Sequence, residues 1–301
     1  MANPERDLTG EDRIGELTVV PPGAIHPLRT AEHDPPNTHH GKKSAKAETK
    51  KRRGLVEELQ RKLWSASHDA LLVVLQGLDT AGKDGTIRRV FEGVNPQGVT
   101  VSPFRVPTAS EADHDFLWRI HAAVPPRGTI AIFNRSHYED LVVPRVYGGL
   151  TPQQLQSRTQ QVIAFEEYLE SESIHVIKFF LNISPEEQQR RLSQRLDDPT
   201  KHWKFSPADL PTRQKWYEFQ DAYDEVISDT STLTAPWHII PSNAKWYRDY
   251  LVLGAIEERL RSIDPHYPTA DLKNIANLKR ELQRPLPDHH HDGDKDKRSP
   301  Q

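Results

Sequence analysis

The sequence predicts an α/β fold: a three-layer α/β/α arrangement around a parallel sheet of about five strands, with a helical lid. Three observations predict it. Apolar runs of strand length recur along the chain, helix signatures with N-terminal capping residues lie between them, and the first strand runs directly into a glycine-rich loop that opens a helix. Alternation of this kind sets parallel strands side by side with helices on both faces.

Taken in order, residues 1–40 are rich in proline, histidine and acid without a sustained period, and read as a loosely structured, flexible arm. The basic run KKSAKAETKKRR (42–53) enters a helical pattern marked by Leu55, Leu59 and Leu63; its simplest reading is a solvated helix face. Ala70–Gln76 is continuously apolar, as a parallel strand buried on both faces must be. Val99–Phe104, Thr129–Phe133, Ile174–Leu181 and Trp237–Ile240 have the same character and complete five strands. Ser110–Ala122 reads as a helix, with Glu111 and Asp113 suited to its first turn. Thr151–Glu170 opens with Thr-Pro, an N-cap followed by proline at the first helical position, and Ser184-Pro185 repeats that signature. Pro199–Leu233 holds no strand candidate and suits a lid between the fourth and fifth strands. After about residue 268 the chain turns polar, and its end, PDHHHDGDKDKRSPQ, reads as disordered, His289–His291 included. The expected division is an arm (1–40), a catalytic domain (41–267, lid at about 184–233) and a C-terminal tail (268–301).

Composition excludes several classes. The 301 residues contain no cysteine, which removes disulfides, thiolate metal sites and a cysteine nucleophile. No apolar run approaches the roughly 18 residues of a membrane span, and the N-terminus lacks a signal-peptide pattern. A cytoplasmic protein without a membrane partner is expected. The formal net charge of −3 argues against a molecule that binds polyanions over its whole surface, so an anion site must be a local basic patch.

That patch has a clear centre. After the first strand comes Gly77-Leu-Asp-Thr-Ala-Gly82-Lys83-Asp84-Gly85-Thr86, a G-x-x-x-x-G-K loop in strand–loop–helix context. Gly77, Gly82 and Gly85 let the backbone turn tightly and approach a phosphate, successive N–H groups and the helix N-terminus face the anion, and Lys83 reaches terminal phosphates. Two departures carry chemistry. The usual Ser/Thr after the lysine is Asp84, and a second acid, Asp79, sits inside the loop. Two carboxylates beside a phosphate site repel the substrate unless a cation intervenes, and hard oxygen ligands suit Mg2+. Asp79 therefore holds one or more magnesium ions or activates an acceptor; Asp84 is either a second ligand or an acid stabilised by the helix dipole.

The third predicted strand ends in Asn134-Arg135-Ser-His-Tyr-Glu139-Asp140, where a Walker B acid would stand. Arg135 lies at the carboxyl end of a strand, where α/β sheets bind ligands. His137 reads as an orienting or structural hydrogen-bonding group. Arg191 and Arg195, four residues apart, share a helix face at the base of the lid, as cations that neutralise charge in phosphoryl transfer do.

Together these residues resemble the second family of polyphosphate kinases, its class III subgroup in particular. The matching stretches run in order: Gly77–Thr86; Val94-Asn-Pro-Gln-Gly98; Pro107-Thr108 with His114-Asp-Phe-Leu-Trp-Arg119; Phe133–Asp140; Trp203-Lys-Phe205; and Trp246-Tyr-Arg248. The resemblance implies a P-loop kinase-like core and Mg2+-dependent transfer of phosphoryl groups from inorganic polyphosphate to AMP or ADP, with Mn2+ as a substitute ion. It implies catalytic roles for Asp79, Lys83, Arg135, Arg191 and Arg195. Gly77, Gly82, Lys83, Asp84, Gly85, Thr86 and Arg145 would contact phosphates, Asn134 and Glu139 the nucleotide, and Asp79 with Asp140 the metal. Asn134 in place of an acid is similar to members that accept both AMP and ADP. Pro144 before Arg145 departs from the family pattern and bears on the aim of that arginine. The resemblance also implies a homo-oligomer, dimer or tetramer, with no nucleic acid expected as partner. The rivals are an ATP-dependent nucleoside monophosphate kinase and a non-catalytic module binding polyphosphate or nucleic acid; a pure polyanion binder has no use for Asp79 and Asp84.

Overall fold

The computed structural model describes residues 14–36, 41–270 and 272–286, in two units, Met1–Tyr267 and Pro268–Gln301. The first begins with a 3-10 turn (Ile14–Leu17) and continues through β1 (Val19–Val20), α1 (Gly41–Ala66), β2 (Ala70–Gln76), α2 (Lys83–Val90), β3 (Val99–Pro103), α3 (Ala109–Ala112), α4 (Trp118–His121) and β4 (Ile130–Asn134). Then come α5 (Glu139–Tyr147), α6 (Pro152–Ser171), β5 (Ile174–Asn182), α7 (Pro185–Asp197), α8 (Asp209–Gln214), α9 (Trp216–Thr230), β6 (Trp237–Pro241) and α10 (Lys245–Ile263). The sheet order is β1-β6-β5-β2-β4-β3, all parallel except β1. From β2 the chain builds one side of the sheet with β3 and β4 and the other with β5 and β6. The carboxyl end of β2 is thus a topological switch point, the place where open α/β sheets form a ligand crevice.

The core follows the predicted apolar runs. Every residue of β2 is buried, as are Ile130–Phe133 of β4 and Val176–Asn182 of β5. Thr151 and Ser184 cap α6 and α7 by accepting from Gln154 N and Glu187 N, with Pro152 and Pro185 at the first helical positions. Helix α1 packs on α10. Its buried positions are Ala45, Arg52, Val56, Gln60 and Leu63, with Leu59 half-buried against the core, and Arg52 donates to the buried Glu257 of α10 at 2.6 Å.

Three expectations need correction. All five expected parallel strands are present, and the arm adds a sixth: Val19 and Val20 pair antiparallel with His238 and Trp237. The arm is accordingly not loose over residues 14–36. Ile14 and Val20 are buried, Leu28 N and the His26 ring bind Asp224 at 2.7 Å each, and the Asn182 and Asn243 side chains hold Glu32 O and Asp34. A segment fixed by scattered long-range hydrogen bonds has no period to detect. Second, Ser110–Ala122 is two short helices. Thr108, not Ser110, is the cap, in a capping box with Glu111, and Asp115 interrupts the run by accepting from Leu117 N at 2.9 Å. Third, the second half of the lid belongs to the core: no residue from 193 to 215 is buried, but Trp216, Phe219, Tyr223, Val226 and Ile227 of α9 are. In the tail, the second unit contains α11 (Ile275–Leu282), capped by Asn274 accepting from Asn277 N. The histidine run and the polar end lie outside the described residues.

Candidate active site

The loop 77–82 joins β2 to α2 and sits at the switch point. Gly77 (φ 146°) and Gly82 (φ 105°) occupy backbone conformations closed to L side chains. A Cβ on Gly82 would also overlap the Arg248 guanidinium, so that position demands glycine twice over. The N-terminus of α2 has no side-chain cap, which leaves its first N–H groups for an anion.

Lys83 is buried, and its Nζ donates to Gly77 O (2.6 Å) and Leu78 O (3.4 Å) across its own loop. Burial, and then the nearby Arg135 charge, lower its pKa to about 8, against the pull of Asp79, Glu139 and Asp84. A phosphate at the loop would favour the charged ammonium and raise that value. The sign is therefore fixed: above about pH 8 phosphate binding takes up a proton, and affinity declines as pH rises. Titration calorimetry at pH 8.5 in buffers of different ionisation enthalpy is expected to show this uptake in the wild-type protein and to lose it in Lys83→Met.

Asn134 and Arg135 leave β4 at its carboxyl end. Arg135 N bonds Leu75 O at 3.0 Å, and its φ of 64° swings the side chain over the loop. The guanidinium donates to Asp79 Oδ1 (2.7 Å) and Glu139 Oε2 (3.1 Å). Burial works against its charge, but Glu139 and Asp79 outweigh burial and raise its pKa. Asn134 Nδ2 donates to Asp84 Oδ1 at 2.7 Å, which ties the first turn of α2 to the end of β4. Behind them the Gln76 amide bridges Ser136 and Glu139; with its carbonyl toward Ser136 N (3.1 Å), its NH2 donates to Glu139 Oε1 at 2.9 Å.

The loop with Asn134 and Arg135 lines a cavity of about 590 Å³ whose wall carries eleven lysine and arginine side chains and two carboxylates, Asp79 and Asp84. Of the predicted residues, Asp79, Gly82, Lys83, Asp84, Gly85, Asn134, Arg135, Arg191 and Arg195 line it. Gly77 and Thr86 stand behind, shaping the loop; the Thr86 hydroxyl donates to Gly82 O. Arg191 is buried and its donors are occupied by Glu187 and by the carbonyls of Thr80, Ala81, Ser242 and Asn243, at 2.5–3.0 Å. It braces the loop and offers charge more than hydrogen bonds. Arg195 is more open, donating to Lys204 O at 2.8 Å.

Three predicted residues stand elsewhere. Glu139 is engaged by Arg135 and lies off the cavity wall. Asp140 lies 3.8 Å from Arg119 and 4.0 Å from Arg158, and burial raises its pKa. Arg145 turns away to Glu225 and Asp229, acids of α9 that no local spacing connects to it. Conversely, sequence reasoning gave no site role to Arg88, Arg89, Arg105, Lys201, Lys204, Lys245 and Arg248, although Arg248 stands in a stretch that carries the resemblance. One signal was available: Lys245 and Arg248 stand in the first turn of α10, after a strand end, where the helix dipole disfavours cations.

The wall fits a divalent ion completed by substrate. Asp79 and Asp84 each commit one oxygen to a protein donor. Among the described residues no group of three or more His, Asp or Glu side chains could hold a metal alone. One or two carboxylates plus phosphate oxygens and water is the Mg2+ mode. Asp84, on the wall, suits this better than Asp140.

A parallel sheet with a phosphate loop at its switch point and a cationic lid defines a P-loop kinase-like protein. Comparison with known proteins narrows the class. The polyphosphate kinase 2 family profile matches residues 39–268, and the chain belongs to that family. It is 49% identical to an AMP/ADP-polyphosphate phosphotransferase of Meiothermus ruber, over 71% of this chain and 80% of the relative. It is 37% identical to an ADP-polyphosphate phosphotransferase of Rhodopseudomonas palustris, over 75% of this chain and 84% of the relative. The crystal structure of polyphosphate kinase 2 from Arthrobacter aurescens superposes with a TM-score of 0.85 at 36% identity, covering 90% of this chain and 97% of that one.

Proposed function

We propose that the protein transfers a phosphoryl group from inorganic polyphosphate to AMP and to ADP, yielding ADP and ATP. The observation that carries this reading is the cavity wall, with its eleven cations around a phosphate loop. That excess suits a donor that is itself a polyanion. The names of the relatives from Meiothermus and Rhodopseudomonas agree with it.

The chain's own groups supply positioning and charge. The α2 N-terminus and Lys83 hold the terminal phosphate of the donor, and Arg135 spans from that phosphate toward the acceptor. Arg195, with Lys201 and Lys204 of the lid, covers the reacting groups. An oxygen of the acceptor's terminal phosphate attacks the donor's terminal phosphorus in line. The bond to the bridging oxygen breaks, and that oxygen stays with the shortened polyphosphate. No covalent enzyme intermediate is needed. Mg2+ held by Asp79 and Asp84, or Mn2+ in its place, would neutralise charge on the phosphates that these side chains orient. The reading extends to a homo-oligomer acting in the cytoplasm. Among the described residues no helix is long and apolar enough to cross a membrane.

The test is chromatographic product analysis after incubation with polyphosphate, Mg2+ and AMP, without ATP. ADP followed by ATP is expected. No product from AMP or from added ADP, with ADP formed when ATP is the donor, would replace this reading by a nucleoside monophosphate kinase.

A further inference from the structure

A second concavity adjoins the first. Lys46, Thr49, Lys50 and Arg53 stand at i, i+3, i+4 and i+7 on one face of α1. With Arg89, Lys245, Trp246 and Asp249 they line a cavity of about 350 Å³. Arg89 and Lys245 also line the phosphate-loop cavity, so the two share a cationic wall. Lys42 and Lys43 continue the α1 face by one further turn.

The acids nearby are already engaged. Asp249 is held by Arg89 and by Arg248, the latter at 2.8 Å; Glu92 pairs with Arg53 at 2.9 Å; Glu48 turns to Arg52. Among the described residues Lys46, Lys50 and Lys245 have no carboxylate partner. Lys245 is pushed below its ordinary pKa by burial and by Arg191, Arg89, Arg248 and Arg190, the mark of a positive potential that lacks its anion. A merely solvated lysine face has no reason to be concave or to merge with the phosphate site.

We infer that this face of α1 is a distal subsite for inorganic polyphosphate, engaging the part of a long chain that extends beyond the phosphate loop. The inference rests on polyphosphate being the donor. Single-stranded nucleic acid fits less well, because such binders stack bases on aromatic platforms. The one indole here, Trp246, is packed against Tyr247 at 5.4 Å between ring centroids.

The test combines Lys46→Ala and Lys50→Ala in the full chain. Both residues are exposed helix positions, where alanine is the best helix former. Phosphorylation of ADP is followed with long-chain polyphosphate and with a short-chain fraction. KM for the long chain is expected to rise about tenfold, roughly 1.4 kcal/mol of binding, with a shallower salt dependence. KM for the short chain and kcat for both stay unchanged. Equal changes for both donors, or none for either, overturn the subsite. Direct titration of long-chain polyphosphate, without nucleotide, separates this inference from the reading it rests on. If the wild type binds long chains more tightly than the variant yet shows no turnover, the subsite stands and the donor role falls. Unchanged affinity overturns the subsite, as does loss of single-stranded RNA binding in the variant with polyphosphate affinity intact.

Discussion

Lys83→Ala is expected to lower kcat with polyphosphate by about 10²–10³, the loss usual when one preorganised donor to developing charge is removed, about 2.7–4 kcal/mol. The fold will survive. Lys83 is a buried ammonium whose hydrogen bonds among the described residues go to two loop carbonyls, and its desolvation already costs stability. Removing it therefore leaves thermal unfolding within a few degrees of wild type. Asp79→Ala should act as strongly on turnover for a different reason. It removes a carboxylate suited to the metal and releases one of the two anchors of Arg135, the other being Glu139. Steady-state kinetics alongside thermal melts distinguish these effects from misfolding. Residual activity within about tenfold of wild type, roughly 1.4 kcal/mol of barrier, would remove either residue from the mechanism.

The largest stability effect lies behind the site. Lys178 Nζ, on β5, donates to Glu166 Oε2 (2.6 Å), Tyr138 Oη (2.9 Å) and Thr230 O (2.8 Å). Glu166 also accepts from Tyr138 Oη (2.8 Å) and meets His137 Nε2 at 3.3 Å. All four side chains are essentially inaccessible to water. Burial pushes Glu166 toward protonation, yet Lys178, with His137, holds its pKa below the ordinary carboxylate value. Breaking such a pair leaves an uncompensated buried charge, so Glu166→Leu or Lys178→Met should each cost about 3–5 kcal/mol. The double replacement should recover most of that, since two apolar side chains need no partner. Urea unfolding midpoints at constant m-value measure both. Single variants within about 1 kcal/mol of wild type would mean that solvent reaches the cluster. Because His137 and Tyr138 lie two and three residues after Arg135, the same network anchors the turn that aims the arginine at Asp79.

What could be read in the sequence was local. The β2 run, the glycine loop and the Thr-Pro and Ser-Pro caps each depend on neighbouring residues, and each element lies where local chemistry put it. What could not be read depended on partners far along the chain. The two-residue β1 is a strand only because His238 and Trp237 pair with it. Arg145 has the right residue type after the right motif, yet it is taken by Glu225, eighty positions later. Lys245 and Arg248 join the cavity because β6 returns beside β5 and delivers α10 to the phosphate loop. Periodicity reports which face of an element is buried; it does not report which way a long charged side chain turns at the end of one.

The arm, finally, gives the protein two different borders. The family profile matches from residue 39, but the hydrogen-bonded structure begins earlier. Asp34 accepts from Asn243 Nδ2, Asn243 O accepts from Arg191, and Arg191 holds the carbonyls of Thr80 and Ala81. Asp34 is thus linked to the glycine loop through two residues, Asn243 and Arg191. A change at Asp34, a residue off the cavity wall, can therefore be felt at the glycine loop through a strap that is not part of the site itself.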